Sequence, residues 1–319
     1  MKKVGIVGYG NIGPIHAKAL ENVENARLYA VCDINAARRS LCREMYGTID
    51  YEDYDEMLKN GNVDCVHICT PHYLHFEMIS KALKAGKDVV VEKPVTMTKE
   101  EFEALQNIEG VEKVAVVMQN RLNPCVQKLK NIVQSKELGL VKATKAILTW
   151  HRDKEYYEQD NWRGKWATEG GGLLINQAIH TLDLFSYLVG DIRNVKAHLC
   201  NYSLQEIIEV EDTLSAYLEF DNDVKGIFFA TNAYSENSDI IFEIVFEKGI
   251  ARYMDKQLWI DGTLVEEDKK NTAGKTYWGS GHEEMLRNYY DKQQYFSVSD
   301  VTNTMSTMFA IYEERKHAL

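Results

Sequence analysis

The glycines near the amino terminus have a spacing that could hold a dinucleotide. Gly8, Gly10 and Gly13 follow an apolar run at 4–7 in the pattern G-x-G-x-x-G. In such a turn the first glycine permits the bend, the second lets a pyrophosphate approach the backbone, and the third lets a helix pack closely. The N–H groups that open this helix attract phosphate. The turn predicts cofactor contacts from Gly8, Gly10, Asn11, Ile12 and Gly13. The alternative is a glycine turn without a ligand.

An acid at the expected distance favours one cofactor. Asp33 follows Gly13 by twenty residues, directly after a second apolar run at 26–32. A carboxylate there accepts hydrogen bonds from the ribose hydroxyls and repels a 2′-phosphate. No basic residue follows until Arg38. The sequence therefore predicts NAD in preference to NADP.

A lysine could handle a proton beside that cofactor. Lys93 lies between Glu92 and Pro94, directly after a predicted strand at 88–91. The proline restricts Lys93 to an extended conformation at the carboxyl edge of the sheet. A lysine there can bind a substrate hydroxyl, and one whose pKa is lowered by burial can exchange a proton with it. The alternative is that Glu92 and Lys93 form a solvated pair.

A second loop is expected at the same edge. Thr70, Pro71 and His75 follow a predicted strand at 64–69, and ligands of open α/β sheets bind at such strand ends. These three residues, with Glu92, are therefore further candidates for cofactor contact. His67 lies inside the strand, where a hydrogen-bonded core histidine is expected.

A helix predicted at 173–188 carries a third set of polar groups. Its polar residues share one face at helical spacing: Asn176, His180, Asp183 and Tyr187. A histidine in that position can donate or accept a proton near neutral pH. The alternative is a helix with its polar face in solvent. Gly170 to Gly172 favour burial of this polar face, since three glycines indicate a close approach of the backbone to another group.

The elements that position these residues fall into two groups. Strands and helices alternate as far as 118, which predicts a doubly wound parallel sheet. Beyond it, strands follow one another without helices, which indicates antiparallel pairing. The strands with clear β character are 140–150, 213–220, 224–231, 240–246 and 249–253. We therefore predict a dinucleotide-binding domain at 1–119 and a substrate-binding and oligomerisation domain at 120–319, whose last helix packs back on the first.

Composition narrows the choice of partner. The 319 residues carry 48 acids against 37 bases, a formal net charge of −11, so nucleic acid and anionic membranes are poor partners. No apolar run approaches a membrane span and Met1 leads directly into the first strand, which predicts no signal peptide. The six cysteines form no CxxC pair. Reduced thiols, a cytoplasmic location and no metal site are expected.

Several motifs in order resemble one family. They are GYGNIG at 8–13, TPHYLH at 70–75, EKP at 92–94, NR at 120–121, WRG at 162–164, and GGG at 170–172 with IHTLD at 179–183. The chain resembles the Gfo/Idh/MocA family, named after glucose-fructose oxidoreductase, inositol dehydrogenase and a rhizopine-catabolism protein. The resemblance implies an N-terminal Rossmann domain and a C-terminal α/β domain on a large open, mainly antiparallel sheet. It also implies NAD(P)-dependent chemistry at a carbinol carbon of a sugar, sugar derivative or cyclitol, and a homodimer or homotetramer joined through that sheet.

The resemblance also assigns residues. Lys93 and His180 match the family's catalytic lysine and histidine, while Asn176 stands where inositol dehydrogenases carry aspartate. An amide can hold a substrate hydroxyl but cannot carry a proton. Family branches that act on nucleotide-linked sugars look similar in having asparagine, so a simple cyclitol is a less secure substrate. The expected substrate contacts are Asn176, Arg121, Trp162 and Arg163, with Arg152, Tyr156 and Tyr157 as weaker candidates.

The hypothesis is hydride transfer between a carbinol carbon and nicotinamide, in which Lys93 and His180 move the hydroxyl proton and Asn176 orients the alcohol. Two alternatives stay open. One is NAD-dependent glycoside hydrolysis, which would release sugar without net NADH. The other is a regulator that senses NAD and sugar without catalysis, against which the presence of both Lys93 and His180 argues.

Overall fold

The computed structural model describes residues 1–268 and 281–315. Its described residues divide into two compact units, one made of 1–119 with 281–301 and the other of 120–268 with 302–315. The boundary after Gln119 is the one predicted above, but 281–301 belongs to the first unit and not to the second. Positions 269–280 and 316–319 of the predicted second domain lie outside the described residues. In the part described, no helix is long and apolar enough to cross a membrane.

The first unit is a doubly wound parallel sheet. Its strands are β1 Lys2–Val7, β2 Ala26–Cys32, β3 Ile49–Tyr51, β4 Cys65–Ile68, β5 Asp88–Val91 and β6 Val114–Val116. Their order is β3-β2-β1-β4-β5-β6, and all neighbours pair parallel. The helices that follow strands are α1 Gly13–Leu20, α2 Ala36–Tyr46, α3 Tyr54–Lys59, α4 His75–Lys84 and α5 Lys99–Gln106. The order reverses at β1 and β4, where such sheets open a crevice for a ligand.

Burial explains why these strands read as apolar runs. Val4 and Ile6 of β1 and Val89 to Val91 of β5 are fully buried, as parallel strands covered on both faces must be. In β4 the apolar run is interrupted by the buried His67, whose ring nitrogens both have hydrogen-bond partners in this unit. His67 is therefore the hydrogen-bonded core histidine that was expected.

The second unit is built on an eight-stranded sheet. Its strands are β7 Val141–Thr149, β8 Ile192–Cys200, β9 Thr213–Phe220, β10 Lys225–Thr231, β11 Ile241–Phe246, β12 Gly249–Met254, β13 Gln257–Ile260 and β14 Thr263–Glu267. The order is β14-β13-β12-β11-β7-β10-β9-β8. Strands β7 and β10 pair parallel and the other neighbours pair antiparallel. The predicted large, open and mainly antiparallel sheet is confirmed.

The two faces of this sheet differ. Its helices are α6 Pro124–Ser135, α7 Lys154–Glu158, α8 Ile179–Leu188 and α10 Thr302–Arg315. Phe185 of α8 packs its ring against Phe242, Phe228 and Phe220, with centroids 4.8, 5.6 and 6.3 Å away. Alternate residues of the strands point to the other side, where large apolar side chains are exposed. They are Ile147, Tyr217, Ile227, Phe229 and Ile241.

The helix predicted at 173–188 is not uniform. A π-helical turn spans Leu174–Ala178, and α8 begins at Ile179. The extra residue in a π turn rotates everything before it relative to the helix that follows, so the spacing of about 100° per residue does not hold between Asn176 and His180. Such turns are frequent at functional sites.

The last helix of the first unit comes from the far end of the chain. This helix, α9 Gly281–Lys292, packs against α1. Asp291 accepts hydrogen bonds from the backbone N–H and side-chain amide of Asn25 at 3.0 and 3.1 Å. The final helix, α10, instead packs on β8 and α8 of the second unit, so it is α9 that returns to the first unit.

Candidate active site

The glycine turn follows β1, and its three glycines have different constraints. Gly8 has φ +86°, and a Cβ there would lie 2.6 Å from the carbonyl oxygen of Cys69. A Cβ on Gly13 would lie 2.4 Å from the carbonyl oxygen of Gly8. The nearest neighbour to a Cβ on Gly10 is Nη1 of Arg38, at 3.5 Å. Packing within the protein therefore requires glycine at 8 and 13 but not at 10.

The same turn opens α1 without a capping side chain. Asn11 is exposed and Ile12 half-buried at this end, and Pro14 occupies the first turn, where a missing N–H costs no helical hydrogen bond. The N–H groups that open the helix are thus not occupied by a cap, which is the arrangement that suits an anion.

Asp33 holds this turn as well as ending β2. Its buried carboxylate accepts hydrogen bonds from the N–H groups of Tyr9 at 2.7 Å and Asn35 at 2.8 Å. Nη1 of Arg38 lies 3.9 Å from the same carboxylate. Arg38 is the first basic residue after Asp33 in the sequence, and the first turn of α2 brings it back beside the carboxylate. A basic group therefore does lie near Asp33, contrary to expectation.

The loop after β4 is tied to the loop after β5 by His75. Its ring is fully buried, with Nδ1 2.7 Å from the carbonyl oxygen of Pro94 and Nε2 2.9 Å from that of Thr70. A neutral imidazole has one N–H, so one of these contacts at a time is a hydrogen bond. Burial lowers the pKa of His75, although both carbonyls oppose this. The ring of His75 thus makes its hydrogen bonds within the protein, and its expected contact with a cofactor stays a prediction.

Thr70 and Pro71 stay at this sheet edge. The hydroxyl of Thr70 donates to Sδ of Met78 at 3.4 Å, and Pro71 is half-buried beside it. The Thr70 hydroxyl is directed toward α4. The groups of this loop that could contact a ligand are therefore its backbone and Pro71.

Glu92 belongs to a buried network and not to a solvated pair. Its carboxylate lies 3.0 Å from Nε2 of His16 and 3.5 Å from Nε2 of His282. The second ring nitrogen of His16 contacts Nδ1 of His67 at 3.0 Å, and Nε2 of His67 contacts the hydroxyl of Tyr290 at 2.8 Å. The side chain of Glu92 is therefore directed into the core, and its expected role as a cofactor contact stays a prediction.

The contacts within this network determine which of its side chains are charged. Burial would lower the pKa of His16, but Cys69 and Glu92 outweigh it and raise that pKa to about 10. Burial would raise the pKa of Glu92, but His16 and His282 hold it well below its ordinary value. The pKa of His67 is lowered by burial and by His16. A charged His16 thus donates to both Glu92 and a neutral His67.

His16, Glu92 and His282 are also a donor set that could hold a metal ion, since one donor atom of each lies within 4.8 Å of the others. The direct hydrogen bonds of His16 to Glu92 and to His67 account for the donor atoms of His16 without an ion.

Lys93 is half-buried at the end of β5. The backbone N–H of Glu92 donates to the carbonyl of Ile68 at 3.0 Å, which extends the pairing of β5 with β4 up to the lysine. Within the first unit, the carboxyl ends of β1, β2, β4 and β5 therefore carry the glycine turn, Asp33, the Thr70 loop and Lys93.

In the second unit, Asn176 is held by an acid that the sequence analysis did not identify. Glu169 is 1% exposed, and its two oxygens accept from the side-chain amide of Asn176 and the N–H of Gly164, both at 2.5 Å. Burial raises the pKa of Glu169 to about 7, against the effects of Gly164, Asn176 and Arg163. The available signal was an acid directly before three glycines.

The close approach predicted for the glycine triplet is to the protein itself. A Cβ on Gly171 would lie 2.0 Å from the hydroxyl of Tyr312, and one on Gly172 would lie 2.1 Å from the carbonyl oxygen of Glu211. The Glu211 carboxylate accepts from the N–H groups of Gly172 and Leu174 and from the Tyr312 hydroxyl, at 3.0, 2.9 and 2.9 Å. These contacts fix the start of the π turn. His180 is half-buried on α8 after it.

Arg121 is an internal ion-pair partner. Its guanidinium binds Asp183 through two hydrogen bonds of 2.8 and 2.6 Å, and Thr304 donates to the same carboxylate at 2.8 Å. Arg121 is 3% exposed and lies 4.9 Å over the ring of Tyr187. Its expected substrate contact stays a prediction. Asp183 and Tyr187, two of the four polar residues that share the predicted helix face, contact Arg121.

Trp162 and Arg163 belong to a cluster of rings and guanidinium groups. Arg163 lies 4.6 Å over Trp162 and 4.9 Å over Tyr156, and pairs with Asp160 at 3.1 Å. Arg152 also lies over the ring of Tyr156, at 5.0 Å. Tyr157, by contrast, is 6% exposed and packs in a small apolar cluster with Leu204, Ile208 and Val210. The cluster around Tyr156 is a candidate surface for a sugar, whereas Tyr157 is part of the core.

These features together define a class. A Rossmann sheet with a glycine turn, an acid after β2 and a lysine after β5, joined in one chain to a unit with an open antiparallel sheet, is the architecture of a two-domain nicotinamide-dependent oxidoreductase.

Comparison with known proteins narrows this class to a family. Residues 2–120 match the oxidoreductase family with an NAD-binding Rossmann fold, GFO_IDH_MocA, and residues 126–252 match the GFO/IDH/MocA C-terminal domain. The chain belongs to the Gfo/Idh/MocA family of oxidoreductases.

Three similar proteins illustrate the family. The NAD(+)-dependent scyllo-inositol 2-dehydrogenase of Bacillus subtilis (strain 168) is 29% identical over 257 residues, 77% of this chain and 72% of the relative. The levoglucosan dehydrogenase of Pseudarthrobacter phenanthrenivorans is 26% identical over 276 residues, 76% of this chain and 70% of the relative. The WlbA dehydrogenase from Bordetella pertussis, solved in complex with NADH and UDP-GlcNAcA, has a TM-score of 0.89 at 26% identity, covering 100% of this chain and 96% of that one.

Proposed function

We propose that the protein transfers a hydride between NAD and a carbinol carbon of a sugar, sugar derivative or cyclitol, with Lys93 and His180 moving the hydroxyl proton. The observation that carries this proposal is the position of Lys93. It stands half-buried at the end of β5, in the unit that also holds the glycine turn after β1 and Asp33 after β2. A lysine at that strand end can hold the hydroxyl oxygen and take or return its proton.

The residues present fit the cofactor. Gly10 has no packing reason to lack a side chain, which is accounted for if a pyrophosphate approaches its backbone. The turn from Gly8 to Gly13, with Asn11 and Ile12, would hold the phosphates, and Asp33 would accept from the ribose hydroxyls. Thr70 and Pro71 would contribute through the backbone of their loop. Bound NAD supplies a hydride acceptor at its nicotinamide ring.

The chain's own residues manage position and proton. Lys93 and His180 are the candidates for exchanging the hydroxyl proton, and Asn176 is the candidate for holding the alcohol. Trp162 and Arg163 offer a ring face and a cation to the remainder of the substrate. Because Asn176 is an amide, the substrate class extends from free sugars and cyclitols to nucleotide-linked sugars, in keeping with the compounds named for the three relatives above.

The exposed face of the eight-stranded sheet supports a homo-oligomer. Five large apolar side chains lie on β7, β9, β10 and β11, and Ile227 is the most exposed of them at 59%. A continuous apolar patch of this kind marks an interaction surface. A second copy of the chain is the partner proposed for it. The six free cysteines support a reducing compartment such as the cytoplasm.

The test is a substrate panel. Cyclitols, free sugars and nucleotide-linked sugars are incubated with the protein and NAD, and NADH is followed by absorbance. We expect net NADH with at least one member. Sugar released without net NADH would support the glycoside hydrolase alternative. Binding of NAD and a sugar without turnover of either would support the sensing alternative.

A further inference from the structure

The proton assignments above do not use Glu169, a buried acid beside the π turn. Both of its oxygens accept hydrogen bonds, one from the side-chain amide of Asn176 and one from the backbone of Gly164. Asn176 is one of the half-buried residues of this turn, whereas Glu169 is 1% exposed. An acid in that position can act on a substrate through the side-chain amide of Asn176.

We propose that Glu169 is a positioning residue that sets which end of the Asn176 amide faces the substrate hydroxyl. The proposal rests on the proposed function, in which Asn176 holds that hydroxyl. A carboxylate has acceptors only, so the Nδ2 end of Asn176 must turn toward Glu169 and the Oδ1 end must turn away. In this orientation Asn176 offers an acceptor to an alcohol O–H.

Protonation of Glu169 reverses this preference. A protonated carboxyl has one O–H donor, which can donate to Oδ1 of Asn176 once the amide has turned over, while the other oxygen still accepts from Gly164. Asn176 then offers N–H donors in place of an acceptor. Since burial raises the pKa of Glu169 to about 7, both orientations are populated near neutral pH.

Other charged and titratable groups also act on Glu169. Arg163 lowers the pKa of Glu169 and Glu211 raises it. Burial raises the pKa of Tyr157 and of Tyr312, so both hydroxyls stay protonated near neutrality. Glu211, whose pKa is also raised by burial, accepts from Gly172, Leu174 and Tyr312, so its hydrogen bonds do not involve Asn176.

A swap of carboxylate and amide tests the proposal. In Glu169→Gln the new amide oxygen can still accept from Gly164, while its N–H₂ donates to Oδ1 of Asn176 and locks the reversed orientation. We expect kcat/KM to fall about 10-fold to 100-fold, the usual effect of one misdirected buried hydrogen bond. The pH profile should also lose the contribution of Glu169 near pH 7.

The double variant Glu169→Gln/Asn176→Asp restores the pair with its roles exchanged. The amide introduced at position 169 donates to the new carboxylate at position 176, which again offers an acceptor oxygen to the substrate. We expect kcat/KM to return to within about 10-fold of the wild type. Glu206→Gln, an exposed change in the same unit, is the matched control and should leave the pH profile unchanged. An unaltered pH profile in Glu169→Gln, or no recovery in the double variant, would overturn the proposal.

A second measurement does not need turnover. In protein labelled with ¹⁵N-asparagine, the side-chain amide signal of Asn176, assigned with Asn176→Asp, should move with pH through about 7 in the wild type and stay fixed in Glu169→Gln. The same titration in both proteins would contradict the coupling. If no member of the substrate panel yields NADH, the proposed function fails while this spectrum still decides the role of Glu169.

Discussion

Asp33 performs two tasks at once. Its carboxylate already accepts hydrogen bonds from the backbone of Tyr9 and Asn35, and it is expected to accept ribose hydroxyls as well. Arg38 stands 3.9 Å away, with its side chain 46% exposed. Selection against a 2′-phosphate therefore depends on the charge of Asp33 exceeding the attraction of Arg38.

Removing that charge should change the cofactor preference. In Asp33→Ala we expect the ratio of kcat/KM with NADP to kcat/KM with NAD to rise about 10-fold or more, because the like-charge repulsion of the 2′-phosphate is lost. Arg38 becomes available to that phosphate, so Asp33→Ala/Arg38→Met should lose most of the gain. A wild type that prefers NADP would contradict the assignment of Asp33.

The His16–Glu92 pair anchors the residue before Lys93. Both partners are almost fully buried, and breaking one side leaves an uncompensated buried charge. In Glu92→Gln we expect a loss of about 3–5 kcal/mol in the free energy of unfolding, measured by urea denaturation. Glu77→Gln, at an exposed position, should change it by less than about 0.5 kcal/mol.

The pH dependence of that loss follows from the direction of each pKa shift. The raised pKa of His16 stabilises the fold fully below its ordinary pKa of 6.5, and this contribution is lost as pH rises to about 10. The lowered pKa of Glu92 stabilises the fold above 4.5, and this contribution is lost as pH falls below that value. The difference between wild type and Glu92→Gln should therefore be largest between pH 4.5 and 6.5 and shrink toward pH 10. A difference that is constant with pH would contradict the ion pair.

At the scale of single residues, the sequence predicted which residues matter better than it predicted the groups that they contact. The expected core role of His67 is confirmed. The contacts that Arg121, His75 and Glu92 make within the protein could not be predicted, because their partners, Asp183, Pro94 and His16, are distant in sequence and no local pattern indicates them. The expected ligand contacts of these three residues stay predictions. The approach of Glu169 to Asn176 was hidden for another reason, since Glu169 lies in a turn before the helix and no helical spacing relates the two residues.

At the scale of elements, the glycine turn contains one glycine that folding requires and another that only the proposed cofactor binding requires. Gly8 has a backbone conformation that L side chains rarely adopt and no room for a Cβ, whereas Gly10 meets only the flexible end of Arg38. Gly10→Ala should therefore unfold within about 0.5 kcal/mol of the wild type, yet bind NAD at least about 10-fold more weakly, measured by isothermal titration.

Gly8→Ala is the matched variant in the same turn. It should lose stability by about 1–3 kcal/mol, because it combines backbone strain with a clash against the Cys69 carbonyl. Unchanged NAD affinity in Gly10→Ala would show that no pyrophosphate approaches that position.

Most elements were predictable because their patterns are local. The strands 26–32, 88–91 and 213–220 were predicted to the residue, since each is a compact apolar or alternating run. Strands β3, β13 and β14, with three, four and five residues, were not predicted. The π turn gave no signal, because its sequence fits a continuous helix equally well.

At the scale of the whole molecule, the order of the elements along the chain did not reveal to which unit one segment belongs. Residues 281–301 rejoin the first unit after the second unit's sheet is complete. The sequence predicted that a late helix returns; α9 lies in the first unit and α10 in the second. What decides it is the packing of α9 on α1 and the contact of Asp291 with Asn25, which are long-range and invisible to periodicity.

The exposed sheet face makes a prediction about assembly. Ile227→Lys places a charge on the apolar patch at its most exposed residue, so we expect the oligomer to dissociate to a monomer in sedimentation velocity. Leu41→Lys, a change at an exposed apolar residue of α2, should leave the assembly intact. A wild type that sediments as a monomer at all concentrations would contradict the proposed interface.

The most direct test of the account replaces Lys93. Lys93→Met keeps a side chain of similar length and removes its proton and charge, so NAD affinity measured by isothermal titration should stay within about threefold of the wild type. With the best substrate of the panel, NADH formation should fall by about 10²-fold or more, as expected when a general acid–base group is lost. NADH formation at the wild-type rate in Lys93→Met would contradict the central claim that this lysine moves the substrate's proton.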